Sequence, residues 1–119
     1  MDFRGANPVG QRVIDACYAD LQFGPDGRAE TVLRDPKTGR ELRIWQESGF
    51  MHVFTGDTLP RGRRKSIAIE PVEAMTNSFN RDEFKTAITI DPGQSRRFRC
   101  GVRLVRAAKG DTKATPSKP

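Results

Sequence analysis

Residues 24–45, GPDGRAETVLRDPKTGRELRIW, contain the pattern that decides the fold. Two turn signals, at 24–27 and 35–39, bracket a short segment at 28–34, and a second short segment follows at 40–45. Glycine, proline and aspartate favour turns because glycine accepts positive φ, proline fixes φ, and the aspartate side chain bonds nearby backbone amides. Short segments separated by turns at intervals of about ten residues are typical of all-β proteins. We therefore predict an antiparallel all-β fold.

Alternation of apolar and polar residues predicts further strands outside this stretch. In residues 98–104 the even positions are apolar and the odd positions are arginine or glycine, which predicts a half-buried strand with a basic outer face. Residues 87–90 alternate in the same way. Residues 66–70, SIAIE, indicate a strand that ends before Pro71, because proline lacks a backbone donor. A single helical turn is predicted near 73–77.

The basic charge of the chain does not by itself predict a nucleic-acid partner. A net charge of +6 is compatible with an acidic partner, so its distribution decides the question. The densest basic run, 61–65, has no interleaved aromatic residues of the kind that stack on bases, and we interpret it as a solvated loop. Residues 106–119 have nothing to bury and are predicted to form a disordered basic tail. The charge is spread out, and we do not expect nucleic acid as the partner.

Composition and cysteine spacing exclude several classes of protein. The chain has no run of about 18 consecutive apolar residues, so the sequence predicts no membrane span. Residues 1–4 do not begin an apolar segment of the signal-peptide type. Cys17 and Cys100 lie far apart and not in a metal-binding spacing, which argues against a disulfide scaffold or a zinc site. These features predict a cytoplasmic protein with no membrane partner.

Five short motifs occur in the order found in one known family. They are DFR at 2–4, VIDACY at 13–18, VFTGDTL at 53–59, EPVEAMTNSFN at 70–80 and IDPGQ at 90–94. In this order they resemble motifs of the aldose 1-epimerase (galactose mutarotase-like) family. The resemblance implies that residues 1–105 are the C-terminal part of an antiparallel β-sandwich, the galactose mutarotase-like supersandwich, and thus a fragment of the full domain.

The resemblance also implies roles for two carboxylates. Glu70 would be the general base that takes the proton from the anomeric hydroxyl of a hexose of the galactose or glucose type, so that the ring opens and recloses as the other anomer. Asp15 would accept hydrogen bonds from the sugar hydroxyls. Neither a metal nor an organic cofactor is implied. From the strand pattern alone, Glu70 is interpreted as a solvated residue on an outer face.

The histidines that act in this family fall upstream of the matched region. The single histidine of the chain, His52, corresponds to neither of them. We interpret it as a structural or surface residue, with a sugar contact as the alternative. We therefore expect an aldose 1-epimerase-like chain that is inactive alone, because the acid partner of Glu70 is missing. A fragment also exposes sheet edges, which predicts self-association or a partner chain that supplies the missing strands.

Two other functions stay open. One is a non-catalytic carbohydrate-binding or interaction module, which would bind sugar through Asp15, Glu70 and an aromatic side chain such as Trp45. Trp45 is otherwise interpreted as packing in the core or against another subunit.

The second open function is that of a relative of hexose-phosphate epimerases, in which the basic loop 61–65 would bind the phosphate. Three polar loop residues near the proposed site are interpreted as turn-forming: Asp57, Asn77 and Asn80.

Overall fold

The computed structural model describes residues 2–106, which contain two three-stranded antiparallel β-sheets. The strands are β1 (Asp15–Tyr18), β2 (Ala29–Arg34), β3 (Glu41–Gln46), β4 (Phe50–Phe54), β5 (Ala68–Val72) and β6 (Cys100–Val105). The predicted antiparallel, β-rich and sandwich-like architecture is therefore confirmed. The predicted tail at 106–119 lies outside the described residues except for Arg106.

The first sheet has the strand order β1-β4-β5, and the second has the order β2-β3-β6. The turn at 35–39 joins β2 to β3, and the amide of Asp35 donates to the carbonyl of Arg40 at 2.9 Å. The turn at 24–27 precedes β2, and the amide of its last residue donates to the carbonyl of its first at 3.0 Å. Both turns predicted from the sequence are present.

The connection between β3 and β4 carries the chain from the second sheet to the first. The side chain of Gln46 is fully buried there, and its Nε2 donates to the carbonyls of Ser48 at 2.6 Å and Phe50 at 3.0 Å. Gly49 has a φ of +83°, and a Cβ on this residue would lie 2.3 Å from the carbonyl oxygen of Val72. The crossing therefore depends on a residue without a side chain.

The core lies between the two sheets and is small. Ile44 on β3 and Met51 on β4 are buried, together with Ala29 on β2 and Ile14 just before β1. Met51 is the one buried residue of β4, and the side chains next to it along the strand point to the opposite face. The burial of Met51 indicates which face of the first sheet is the inner one.

The boundaries of β5 differ from the sequence prediction. The strand predicted at 66–70 instead runs from Ala68 to Val72, and Pro71 lies within it, opposite Met51 on β4. β5 is an edge strand of the first sheet, and an edge strand tolerates a residue without a backbone donor. The prediction that pairing ends before Pro71 is therefore wrong.

The connection between β5 and β6 is also different from the prediction. The helical turn predicted near 73–77 lies instead directly after that range, and the strand predicted at 87–90 is wrong. The observed elements are two 3-10 helices, Ser78–Asn80 and Asp82–Phe84, followed by α1, Lys85–Ile88. Alternation over only four residues does not distinguish a strand from a helical turn, which explains the error.

For β6 the structure confirms the predicted basic face and contradicts the predicted burial of the opposite face. Arg103 lies on one face of the strand, in register with Arg43 of β3, so a basic face is present. The opposite face was predicted to be half-buried. Val102 and Leu104 on that face are instead 64% and 59% exposed.

Candidate functional site

The two carboxylates singled out from the sequence lie on the same face of the first sheet. On the central strand β4, His52 is directly opposite Glu70 of β5 and directly opposite Cys17 of β1. Asp15 is two residues from Cys17 along β1 and is opposite Phe54. Directly opposed residues share a face, as do residues two apart along a strand. Asp15, Cys17, His52 and Glu70 therefore project from one face.

This face is the outer one, because Met51 on the opposite face of β4 is buried. The four residues differ in their access to solvent. The side chain of Asp15 is 61% exposed and that of His52 is 23% exposed. Glu70 is exposed and Cys17 is half-buried. A ligand approaching from solvent would meet both carboxylates, with the imidazole between them and lower in the face.

Asp15 and His52 are in direct contact. The Nε2 atom of His52 lies 3.1 Å from the Oδ1 atom of Asp15. An ionised carboxylate only accepts hydrogen bonds, so in this contact Nε2 carries the hydrogen. The bond links β1 to β4 and fixes the orientation of the imidazole ring, as a carboxylate commonly does for a functional histidine.

Aromatic side chains border the same face at its two ends. Phe54 and Phe50 flank His52 at positions two residues away on β4, and both are half-buried. The ring of Phe84 packs edge-on against Phe50, with 6.3 Å between centroids. The guanidinium of Arg81 lies 4.3 Å from the centroid of Phe84. The connection between β5 and β6 thus borders the Phe50 end of the face, the end away from Asp15.

The arrangement is suited to acid–base chemistry on adjacent oxygen atoms. His52 and Glu70 are directly opposed in the register, and residues so placed on antiparallel strands typically have Cβ atoms about 4.5–5.5 Å apart. A carboxylate and an imidazole at this separation can act on two oxygens attached to the same carbon. Sequence reasoning named Glu70 and Asp15 but missed His52 as their partner, because the register between strands was not readable from the chain.

Comparisons with known proteins give no family for this chain. No family model, curated protein or solved structure matches it. Any assignment of function therefore depends on the residues of this face and on the resemblance of the sequence motifs. Among residues 2–106, no helix is long and apolar enough to cross a membrane. Within the same part of the chain, no group of three or more histidine, cysteine or acidic residues is placed to hold a metal ion.

A second polar cluster lies at the end of the first sheet and holds the chain together there. Thr55 is buried, and its hydroxyl accepts from the amide of Ile14 at 2.9 Å and donates to the carboxylate of Asp57. The Nη1 atom of Arg64 lies 2.7 Å from Oδ1 of Asp57. The motif VFTGDTL, at 53–59, therefore supplies structural contacts between β4, the following loop and the segment before β1.

Arg64 connects this loop to the N-terminal segment. Its Nη1 donates to the carbonyl of Arg12 at 3.0 Å, and its Nη2 donates to the carbonyl of Gly10 at 2.8 Å. With Asp57 as a third partner, the guanidinium already has acceptors on two sides. The sequence had suggested that the loop at 61–65 is solvated. The structure shows that this holds only in part, because one of its arginines has a structural role.

Asp57 makes the stability of the protein depend on pH. The Arg64 guanidinium, followed by the Thr55 hydroxyl, holds the pKa of Asp57 below its ordinary value. A carboxylate with a lowered folded-state pKa stabilises the fold above its unfolded pKa of about 4, and that contribution is lost as the pH falls through the folded-state value. We expect the stability difference between wild type and Asp57→Asn to be constant near neutral pH and to shrink in acid.

Urea unfolding of both proteins at a series of pH values from about 7 to about 3 measures this difference. Asp91→Asn, in the exposed turn before residue 94, is the control for a lost surface carboxylate. A wild-type advantage over Asp57→Asn that is as large at the acid end as at neutral pH would contradict the assignment.

Trp45, Asn77 and Asn80 are not among the residues that project from this face. Trp45 is on the outer face of the second sheet, where the guanidinium of Arg28 lies 3.9 Å from its ring centroid. It cannot share a ligand with Glu70 on the opposite side of the sandwich, so the sugar-platform interpretation is wrong for this site. Asn77 has a φ of 61° and accepts from Nδ2 of Asn80 at 2.6 Å, which agrees with turn-forming roles.

Proposed function

We propose that the outer face of the first sheet interconverts the α and β anomers of a hexose of the galactose or glucose type, in the manner of an aldose 1-epimerase. Glu70 is the general base, His52 is the acid and Asp15 binds the sugar. The observation that carries the proposal is the direct pairing of His52 with Glu70 on one face, with Asp15 bonded to His52. The class of sandwich, the galactose mutarotase-like supersandwich, belongs to the same proposal.

The reaction needs an acid and a base close together. Glu70 takes the proton from the anomeric hydroxyl on C1, and His52 gives a proton to the ring oxygen as the bond from C1 to that oxygen breaks. The two oxygens are attached to the same carbon, so groups on adjacent strands are within reach of both. The open-chain aldehyde rotates about its C1–C2 bond. Reversal of both proton transfers then closes the ring as the other anomer.

Asp15 has two tasks in this proposal. Its exposed carboxylate accepts hydrogen bonds from sugar hydroxyls, and charged acceptors make the stronger bonds to such groups. Its contact with Nε2 of His52 also fixes the imidazole ring on the strand next to Glu70. Phe54, opposite Asp15 in the register, offers an apolar surface for the C–H face of a pyranose ring.

The proposal revises the expectation that the chain is inactive alone. That expectation came from the absence of the family's acid histidine, whereas His52 lies beside Glu70 and could replace it. A binding module without catalysis is the alternative that the open face also supports. A hexose-phosphate substrate is a further alternative, because the loop at 61–65 joins β4 to β5 at the end of the sheet that carries Asp15.

Saturation-transfer NMR on the anomeric protons of glucose and galactose tests the proposal. We expect wild-type protein to accelerate exchange, and His52→Gln to lower the acceleration by about 10²- to 10⁴-fold, because glutamine does not transfer protons. Lys37→Gln, in the turn of the other sheet, is the control and should exchange normally.

Each outcome selects one interpretation. Sugar binding without accelerated exchange would favour the binding module. Exchange of a hexose phosphate in strong preference to the free hexose would favour the phosphate alternative. Neither binding nor exchange would overturn the proposal.

A further inference from the structure

The edge strand β6 presents a surface that the described fold leaves uncovered. β6 pairs with β3 on one side, and among residues 2–106 no strand pairs with its other side. Its backbone donors and acceptors on that side are available to an added strand. The question is whether the side chains of β6 select a particular kind of strand.

One face of β6 is apolar and exposed. Val102 is directly opposite Ile44 of β3, so the two share a face of the second sheet. Ile44 is buried at 6% exposure, whereas Val102 is 64% exposed. Leu104, two residues further along, is 59% exposed. The first sheet therefore covers the centre of the second sheet but not its β6 edge, and a row of apolar side chains stays in solvent.

The other face of β6 is basic. Arg103 lies there, with its Nη2 atom 3.5 Å from Glu30, and Arg99 lies just before the strand, with its Nη1 atom 3.9 Å from Glu47. Both arginines are exposed, and at these distances each ion pair is weak. A strand added beside β6 would therefore have apolar neighbours on one face and cationic neighbours on the other.

Neither the composition of residues 107–119 nor the β6 strand of a second copy matches such an edge. Residues 107–119 contain no apolar side chain larger than proline, so their composition offers no large apolar partner for Val102 and Leu104. A second copy that paired antiparallel through its own β6 would bring Arg99 and Arg103 of both copies onto one face. Like charges on neighbouring strands are destabilising, and charged side chains on an edge strand oppose self-pairing.

We propose that the free edge of β6 binds an extended segment of a partner protein in which apolar residues alternate with acidic residues. Backbone hydrogen bonds to β6 supply affinity, as in other cases of strand addition. Apolar side chains of the segment pack beside Val102 and Leu104, and its carboxylates pair with Arg99 and Arg103. The proposal is independent of the sugar chemistry on the first sheet.

Titration of isotope-labelled full-length protein with a synthetic peptide of alternating glutamate and valine tests this. We expect saturable NMR shifts concentrated at the amides of 100–105, and much weaker shifts at β1, which is also an edge strand. The matching peptide of alternating lysine and valine should bind about tenfold more weakly or worse, because it places like charges beside the arginines.

Substitutions test the contributions of the apolar and the basic face of β6 to peptide binding separately. Leu104→Lys should weaken binding of the glutamate peptide about tenfold or more, since it removes an apolar contact. Val32→Lys is the matched control, because Val32 is 45% exposed on edge strand β2 and lies on the outer face, in register with Arg43. Arg103→Glu should reverse the preference between the two peptides. The amide spectrum of each variant reports whether it is folded.

Three results would overturn the proposal. The first is no saturable shift at β6 with peptide at about 1 mM, a concentration that detects even weak complexes. The second is equal binding of the two peptides to wild-type protein. The third is sedimentation of the wild type as a dimer that Leu104→Lys converts to monomer, because a second copy would then be the occupant.

Discussion

Replacing Glu70 by glutamine should lower the rate of hexose anomer exchange by about 10²- to 10⁴-fold, the usual contribution of a positioned general base. Glutamine has the size of glutamate but cannot accept the proton of the anomeric hydroxyl. Glu70 is exposed on β5, so the substitution should leave the fold and its stability unchanged. The rate is measured by saturation transfer between the two anomeric protons, with protein concentration varied to extract the catalysed part.

The chain offers a close control in Glu73→Gln. Glu73 is exposed, lies three residues from Glu70, and approaches Arg96 at 3.6 Å. It is outside β5 and outside the proposed site. We expect its exchange rate to equal that of the wild type. If both variants exchange sugar at the wild-type rate, Glu70 is not the base. If both lose activity, a general change of charge near the sheet explains the loss.

Replacing Gly49 by alanine should destabilise the protein by about 2–5 kcal/mol, through two costs that add. An alanine in left-handed backbone geometry costs about 1–2 kcal/mol, and Gly49 has a φ of +83°. The new Cβ would also lie 2.3 Å from the carbonyl oxygen of Val72, a contact that only a backbone shift relieves. Forced shifts of this kind cost about 1–3 kcal/mol. The loss is a large part of the stability of an ordinary domain.

Urea unfolding followed by the fluorescence of the single tryptophan, Trp45, measures this loss. Gly93→Ala measures the backbone cost alone, because Gly93 has a similar φ of +80° and a Cβ there would have no neighbour within 4 Å. The difference between the two variants therefore gives the steric cost at Gly49. We expect Gly49→Ala to exceed Gly93→Ala by about 1–3 kcal/mol. Equal losses would mean that the crossing between the sheets tolerates a side chain, contrary to its geometry.

The local features of the fold were predictable from the sequence where the signal is carried by a few adjacent residues. The turns at 24–27 and 35–39 follow from the backbone preferences of glycine, proline and aspartate, and the hairpin of β2 and β3 follows from those turns. Errors fell on β5, on the connection that follows it and on the face of β6 that was predicted to be half-buried. Pro71 was accommodated because β5 is an edge strand, and the short alternating run at 87–90 formed part of a helical turn. Val102 and Leu104 of β6 are exposed.

The candidate site was only partly predictable for the same reason. Glu70 and Asp15 were each identified from a separate motif, and they lie far apart in the sequence. Their neighbourhood depends on β4 lying between β1 and β5, which is a pairing of strands distant in the chain. A slip of one residue in that register would turn His52 to the opposite face and remove the arrangement. Local pattern contains no information about this register.

The sequence by itself determined that the chain forms antiparallel strands, where its main turns lie, and which carboxylates are worth testing. These properties depend on backbone preferences and on alternation along a single strand, which are local. Only the tertiary structure decided that His52 stands beside Glu70, that Arg64 ties a basic loop to the N-terminal segment, and that the apolar face of β6 is exposed. These properties depend on which strands become neighbours and on what covers each face, and both are settled by packing between distant parts of the chain.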